Sequence, residues 1–223
     1  MKTKSFTRIL AIFVATLVIA VNGVYADPLQ LYVTDGENFI TVADNGVGDG
    51  DSTLGKIGWS GNLGGWDLLV STGTGSPVFG LGSLDLEFSA NSQNENTADL
   101  TIMLTQTDIS TTFPGWNLKA EGAIEGGIGA VTYSAWFDND NGAFAKDQQI
   151  GSTLSFTSSD FAGNISVLAS AIPPYSLTQV LTFAGNGRFS TDASLTHAPE
   201  PTAIVLLGSG LVGVALLARR KRF

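Results

Sequence analysis

The chain has 223 residues, no cysteine, one histidine and a formal charge of −9. Its basic residues concentrate at the two ends, so residues 27–198 hold nineteen acidic side chains against four basic ones. This balance excludes nucleic-acid binding, which needs clustered Lys and Arg. The lack of Cys and of any His before His197 also excludes a zinc site or a Ser-His-Asp triad within that region.

The N-terminus predicts a secretory leader. Its basic residues are Lys2, Lys4 and Arg8. They precede an apolar run from Ile9 to Val21 and a small-residue site that ends at Ala26. As a helix the run would be about 20 Å long, shorter than a hydrocarbon core of about 30 Å. We therefore expect residues 1–26 to form a signal-peptide helix that is cleaved between Ala26 and Asp27; the alternative is an uncleaved anchor.

Residues 27–198 predict an all-β domain, because apolar and polar side chains alternate along short segments separated by turn residues. No stretch of twelve residues there has a helical stripe. Twelve strands are predicted, at 29–34, 38–43, 55–60, 66–72, 83–89, 98–107, 116–124, 130–137, 150–157, 164–170, 175–184 and 188–196. Their number and spacing favour a two-sheet sandwich or jelly-roll-like domain, with His197 as a linker residue beyond it.

We expect the large aromatic side chains of the two sheets to face inward more often than outward. These residues are Trp59, Trp66, Phe88, Trp116, Trp136, Phe156 and Phe183. The four tryptophans also distinguish two functions. Two of them on one exposed face would favour a carbohydrate-binding module, whereas burial of all four would favour a structural role.

One loop has the composition of a calcium site. Residues 44–52, DNGVGDGDS, place Asp44, Asp49 and Asp51 among small residues, and calcium prefers such oxygen ligands. The spacing is not that of an EF-hand, because Gly55 stands where a closing Glu would be needed. The same residue types are expected in ordinary turns. Calcium therefore stands as an alternative to the absence of any cofactor.

A second loop, DNDNG at residues 138–142, offers Asp138 and Asp140 but again no closing Glu. Its Asn-Gly pair tolerates the positive φ of a tight hairpin, so a turn is the simpler interpretation.

A pair of carboxylates suggests a third function. Asp85 and Glu87 lie two residues apart on a predicted strand, about 7 Å from each other along the backbone and on one face. Such a pair could serve as the acid and base of a glycoside hydrolase. The outward face of a strand in an acidic domain explains them equally well, and we predict no catalytic residues.

The C-terminus has three parts in a fixed order. Pro199-Glu200-Pro201 ends the domain, because proline neither donates a backbone hydrogen bond nor extends a helix backwards. Residues 202–218 are almost entirely apolar and predict a single transmembrane helix. The basic end consists of Arg219, Arg220, Lys221 and Arg222. By the positive-inside rule this end stays cytoplasmic and the acidic domain lies across the membrane.

This tail, with a Gly-Ser-Gly-Leu segment at 208–211, resembles the PEP-CTERM sorting signal of Gram-negative bacteria. Ala198 stands where valine is commoner in that signal. The resemblance implies recognition of 199–201 by an exosortase, a membrane-embedded cysteine transpeptidase-like enzyme, with 219–222 as the stop-transfer end. It further implies cleavage near the motif, followed by release or attachment at the cell surface, commonly among exopolysaccharide.

We therefore expect a signal peptide at 1–26, an acidic, glycine-rich sandwich at 27–198 and a sorting signal at 199–223. The first interpretation is an exported, non-enzymatic protein of the cell surface or extracellular matrix. Its processing partners would be signal peptidase and exosortase, with a transient stay in the inner membrane. The alternative is a calcium-assisted carbohydrate-binding module that acts on exopolysaccharide. For the tail, the alternative is a plain single-pass anchor.

Overall fold

The structure is a computed structural model that describes residues 28–92 and 98–197, and within these ranges it is all-β. The strands are β1 (Leu29–Thr34), β2 (Phe39–Ala43), β3 (Lys56–Leu63), β4 (Trp66–Thr74), β5 (Leu84–Ser92), β6 (Leu100–Ile109), β7 (Trp116–Glu125), β8 (Gly129–Asp138), β9 (Gln148–Phe156), β10 (Asp160–Val167), β11 (Tyr175–Gly185) and β12 (Arg188–His197). The predicted signal peptide, its cleavage site and the tail from Ala198 onward lie outside the described residues. No helix in the described part is long and apolar enough to cross a membrane.

The strands form two antiparallel six-stranded sheets. The order of the first sheet is β2-β1-β6-β11-β8-β9, and that of the second is β10-β7-β12-β5-β4-β3. The sheets pack against each other around one hydrophobic core. Phe88 of β5, for example, stacks on Phe183 of β11 with ring centroids 5.7 Å apart. The predicted two-sheet sandwich is thus confirmed.

Period-two alternation explains why these segments are strands. In β1, Leu29, Leu31 and Val33 are buried while the residues between them are partly exposed. Each strand thereby covers the core with one face and meets solvent with the other. All twelve predicted strands are present. The largest shift is in β10, which begins four residues before its predicted start at 164.

One end of the sandwich, here called the tail end, holds both Pro28 and His197, the two limits of the described chain. The register shows this, because His197 pairs with Trp116 at the start of β7, and Leu29 at the start of β1 pairs with Gln106 near the end of β6. Five loops meet at the tail end: 44–55, 75–83, 110–115, 139–147 and 168–174. The chain therefore enters and leaves the domain on the same side.

Candidate functional site

The exit of the chain into the sorting segment is an ordered part of the domain. His197 is the last residue of β12, so its assignment as a linker residue beyond the strands was wrong. Its imidazole ring stacks on Phe113 of the 110–115 loop, with centroids 4.6 Å apart and planes 8° apart. Phe113 in turn meets Trp116 edge to face at 5.5 Å. Aromatic packing of this kind fixes the end of β12, two residues before Pro199.

The predicted recognition residues, Pro199, Glu200 and Pro201, and the basic end at 219–222 lie outside the described residues. The cleavage site at Ala26 and Asp27 does so as well. Of the sorting segment, the structure therefore describes only the point where it leaves the folded domain.

The structure brings the three aspartates of the 44–55 loop together, but their oxygens accept hydrogen bonds from the chain itself. Asp49 Oδ1 accepts from the backbone N–H groups of Asp51 and Gly58, each at 2.9 Å. Asp44 Oδ2 accepts from the N–H of Gly55 at 2.7 Å. These bonds satisfy backbone donors that a long loop would otherwise leave to water.

Asp51 completes this loop with an ion pair. Its Oδ2 lies 2.9 Å from Lys56 Nζ, and its Oδ1 accepts from the N–H of Thr53 at 2.9 Å. The hydrogen bond from Lys56, followed by those from Thr53, lowers the pKa of Asp51 to about 2. Within 28–92 and 98–197 no group of three or more His, Cys, Asp or Glu side chains is arranged to hold a metal ion.

The DNDNG segment is part of a nine-residue loop, 139–147, rather than a tight hairpin. Asn141 has the positive φ expected of it, 61°. Asp138 is buried, and its Oδ2 accepts from the N–H of Gly142 at 2.7 Å. Asn141 also forms two hydrogen bonds with Asp108, at 2.8 and 2.7 Å. These contacts fix the loop and engage the carboxylate of Asp138, one of the two side chains that were considered as ion ligands.

Glu87 of the β5 carboxylate pair belongs to an acidic row on the outer face of the second sheet. Asp192 of β12 is the register partner of both Glu87 on β5 and Glu121 on β7, so three acids lie side by side. Like charges in such positions repel each other. Lys119 relieves part of this repulsion through an ion pair with Glu121 at 2.8 Å, exposed to solvent.

Asp85 lies two residues before Glu87 on the same face of β5, next to this row, and it is half-buried. Burial, followed by the nearby charges of Asp192 and Glu87, raises the pKa of Asp85 to about 6. A shallow depression of about 370 Å³ lies at the acidic row, and Glu87, Glu121, Arg188 and Asp192 are among the residues that line it. Its only aromatic lining residue, Phe88, is buried in the core, so no exposed ring is available there to a sugar.

The four tryptophans do not form an exposed face. Trp66 and Trp116 are fully buried, and Trp59 packs against the core while partly exposed. Trp136 is half-buried on the outer face of the first sheet, where its Nε1 donates to Ser134 Oγ at 3.1 Å. The tryptophans therefore neither place two rings on one exposed face nor are all buried, the two arrangements considered from the sequence. Of the seven aromatics expected to face inward, six do, with Trp136 as the exception.

Other aromatic side chains, which sequence reasoning missed, form a partly exposed group on the first sheet, here called the aromatic patch: Tyr32, Phe39 and Phe144. Tyr32 stacks on Phe39 with centroids 5.8 Å apart, and it lies 5.6 Å from Phe144. Phe39 is 66% exposed. The sequence signal for the aromatic patch was Tyr32, because apolar and polar positions alternate along β1 and Tyr32 falls on the outward face.

Phe144 reaches the aromatic patch because the 139–147 loop folds back over the first sheet. Its backbone N–H donates to Thr105 Oγ1 at 3.3 Å, and Ser176 Oγ donates to the carbonyl of Gly142 at 2.7 Å. Phe144 has a φ of 59°, a conformation that costs free energy for a residue with a side chain. The loop contacts hold the ring next to Tyr32 in spite of this cost.

Comparisons with solved structures find distant likenesses. The active domain of a tailspike protein from Bacteriophage CBA120 is 12% identical with a TM-score of 0.34, over 60% of this chain and 19% of that chain. The CBM22-1 xylan-binding domain from Paenibacillus barcinonensis Xyn10C is 11% identical with a TM-score of 0.36, over 65% and 86%. A structure of carbohydrate-binding modules from the beta-sandwich super family is 14% identical with a TM-score of 0.35, over 74% and 70%.

This chain thus spans about a fifth of the tailspike chain. A comparison with curated proteins finds no match. A family model, by contrast, matches the C-terminus: the PEP-CTERM protein-sorting motif, at residues 197–222. The match begins at His197, the residue that stacks on Phe113 at the end of β12. The chain is therefore a protein with a C-terminal PEP-CTERM protein-sorting motif.

Proposed function

We propose that the chain is exported, held in the inner membrane by residues 202–218, and cleaved by an exosortase near 199–201. Its product is a non-enzymatic protein of the cell surface or extracellular matrix. The sorting motif at 197–222 carries this proposal. Signal peptidase, acting between Ala26 and Asp27, and exosortase are the processing partners. The acidic composition of 27–198 supports solubility outside the cell.

The position of the motif supports this order of events. Only Ala198 separates His197, the last strand residue, from Pro199. A proline-flanked segment that follows a strand so closely begins a separate unit, because neither proline can pair with a neighbouring strand as a donor. Processing at this point would leave every strand of the sandwich intact.

The mass of the mature protein tests the proposal. We expect material from the cell surface to begin at Asp27 and to end before the basic residues at 219–222. A Glu200→Gln variant should accumulate in the membrane with Phe223 still present, because the recognition motif is altered. Glu125→Gln, the same change on the exposed end of β7, is the matched control and should be processed normally. Surface material that begins at Asp27 and retains Phe223 would contradict the proposal.

A second candidate function, carbohydrate binding, is favoured by one observation, the aromatic patch. Phe39 is exposed, Tyr32 and Phe144 are partly exposed, and the ring centroids of Phe39 and Phe144 each lie within 6 Å of that of Tyr32. The loop that carries Phe144 has a strained backbone at that residue. Exposed aromatic rings offer apolar faces on which the C–H faces of sugar rings can pack. The strongly acidic domain repels anionic polymers, so the glycan it would accept is neutral.

Titration of the purified chain with a neutral β-linked glucan and with a uronic-acid polymer tests this candidate. We expect binding of the neutral polymer alone. Phe39→Ala should weaken it at least about tenfold, as truncation of an aromatic anchor does. Ile128→Ala is the control, since Ile128 is 88% exposed but lies away from the patch. Equal affinities of the two variants would contradict the assignment.

The same titration addresses catalysis. Asp85 and the neighbouring acidic row offer paired carboxylates of the kind that glycoside hydrolysis uses, but the depression at the row lacks an exposed ring to hold a sugar. We therefore propose binding without hydrolysis. Release of reducing sugar ends by the wild-type chain, and its loss in Asp85→Asn, would contradict this.

We also propose that the sandwich is a jelly roll. Strands β5 to β12 contribute four strands to each sheet, in the orders β5-β12-β7-β10 and β6-β11-β8-β9. This is the arrangement of an eight-stranded jelly roll. Strands β1 and β2 extend one sheet, and β3 and β4 extend the other.

A further inference from the structure

Exposed apolar side chains concentrate at the tail end of the sandwich. Of nine large hydrophobic residues exposed in the described part of the chain, seven lie on tail-end loops: Val47, Leu54, Val78, Phe79, Leu81, Leu168 and Ile172. The other two, Phe39 and Ile128, lie at the opposite end. Scattered exposed hydrophobics need no explanation, but a group at one end of a domain marks an interaction surface.

Three of the tail-end loops are also free of charge. Residues 75–83, 110–115 and 168–174 contain no Asp, Glu, Lys or Arg, although the surrounding domain holds nineteen acidic residues. The two remaining loops, 44–55 and 139–147, contain acidic residues and flank this surface. The uncharged loops, here called the apolar loops, would neither repel an anionic surface nor lose hydration of charged groups on contact with lipid.

The apolar loops adjoin the point where the chain leaves the domain. Gly82 has no room for a Cβ atom because the ring of Phe113 lies against it, and Phe113 stacks on His197. Strand β5, which follows the 75–83 loop, is the direct neighbour of β12. Strand β10, which precedes the 168–174 loop, is two strands from β12 on the other side, about 10 Å away.

The length of chain that follows sets how far this end can be from the membrane. Five residues, 198–202, separate His197 from the run of apolar and small residues that begins at Ala203. Even fully extended, each residue spans at most about 3.6 Å, so His197 lies within roughly 20 Å of that run. The tail end therefore stays close to the membrane surface while the tail remains inserted.

We propose that the apolar loops dock onto the phospholipid surface in which residues 202–218 are inserted. This inference rests on the proposed membrane-held intermediate. Phe79 and Leu81 on the loop before β5, and Leu168 and Ile172 on the loop between β10 and β11, enter the headgroup region. Apolar side chains presented in this way bury about 5–10 Å into the boundary between headgroups and acyl chains. The domain then stands upright, with Pro199 to Pro201 held at the membrane surface and both sheet faces free.

Site-specific fluorescence in vesicles tests this inference. Because the chain has no cysteine, single-Cys variants of the full chain can be labelled uniquely. Leu81→Cys and Ile172→Cys place a bimane label on the apolar loops, and Ile128→Cys places it at the opposite end. All three positions are exposed, 52%, 71% and 88%, so the labels do not disturb the core. Each variant is reconstituted in phosphatidylcholine vesicles with or without a headgroup-proximal nitroxide lipid.

We expect the nitroxide lipid to cause loss of fluorescence at positions 81 and 172 but not at 128. If the chain floats with the vesicles but all three labels keep their fluorescence, docking is wrong while membrane insertion of the tail stands. If the chain does not float, the membrane-held intermediate and the docking both fail.

Discussion

The imidazole ring of His197 lies parallel to the ring of Phe113 at 4.6 Å, so the last strand of the domain ends against the 110–115 loop. Phe113 is partly buried and also contacts Trp116, the register partner of His197. The last residue of β12, at which the sorting motif begins, is thus held both by its strand neighbour and by an aromatic side chain.

Phe113→Ala should free the end of β12. We expect the free energy of unfolding to fall by about 1–3 kcal/mol, less than for a fully buried Phe, together with faster amide exchange near His197. Urea unfolding and hydrogen exchange measure the two effects. Ile128→Ala, at an exposed site, should change stability by less than about 0.5 kcal/mol. Unchanged exchange near His197 in Phe113→Ala would show that the stacking does not hold the strand.

A second prediction concerns the buried amide between the sheets. Gln179 Nε2 donates to Tyr133 Oη at 2.9 Å and to the carbonyl of Leu84 at 3.2 Å. Tyr133 is buried, which raises the pKa of its hydroxyl well above the usual range. Gln179→Leu should cost about 1–3 kcal/mol, because it leaves these buried acceptors without a donor.

A double-mutant cycle isolates this pair. Tyr133→Phe removes the hydroxyl, so Gln179→Leu together with Tyr133→Phe should cost less than the sum of the two single changes. Chemical unfolding of the four proteins gives the coupling energy. Strict additivity would mean that the hydrogen bond contributes nothing to stability.

The acidic row predicts a pH dependence. The folded-state pKa of Asp85 is about 6, above its ordinary value of 3.8, so the folded protein binds this proton more tightly than the unfolded chain. Stability therefore falls as the pH rises from about 4 to about 6 and stays reduced above that window. Asp85→Asn, which cannot ionise, should raise stability at pH 7.5 by on the order of 1 kcal/mol after solvent screening.

Thermal melting at pH 7.5 and pH 4 measures this effect. A change of about 1 kcal/mol corresponds to a shift of about 2–4 °C for a domain of this size. The stabilisation by Asp85→Asn should disappear at pH 4, where Asp85 is protonated in the folded state. Asp160→Asn, on the exposed start of edge strand β10, is the control and should have little effect at either pH. An equal gain from Asp85→Asn at both pH values would rule out this explanation.

The 44–55 loop predicts the effect of calcium. Asp49 accepts hydrogen bonds from the N–H groups of Asn45, Asp51 and Gly58. Asp49→Ala should therefore cost about 1–2 kcal/mol whether calcium or a chelator is present, and wild-type midpoints should be equal in the two conditions. Melting curves measure both, with the exposed Asp140→Ala as control. A rise of the wild-type midpoint in calcium that Asp49→Ala abolishes would instead establish an ion in the loop.

Local patterns were enough to predict the strands, but not which strands are neighbours. Alternation along the chain located all twelve strands, and Phe88 of β5 was expected to face inward, where it lies. The acidic row depends on the register of β5, β12 and β7, which brings Glu87, Asp192 and Glu121 together from distant parts of the sequence. The aromatic patch depends in the same way on a loop that folds over another strand, which no local pattern specifies.

The shift in β10 has a similar physical cause. The apolar residues of 164–170 suggested a strand there, but Leu168 is 82% exposed and lies beyond the strand end. The strand instead includes Phe161, which stacks on Phe156 at 4.6 Å and is buried. Gly163 and Asn164 follow Phe161 and interrupt the alternation of apolar and polar side chains in the sequence of β10. Tertiary packing therefore decided a boundary that composition had placed later.

The central position of β12 determines how the domain would respond to mechanical load. A tension applied along the tail enters the domain at His197 and runs along β12. This strand is paired with β5 on one side and with β7 on the other. A pull along its axis would shear both rows of hydrogen bonds at once, rather than open them one after another as at an edge strand. The tail thus continues from a strand that is paired on both sides, so a pull on the tail meets high mechanical resistance from the sandwich.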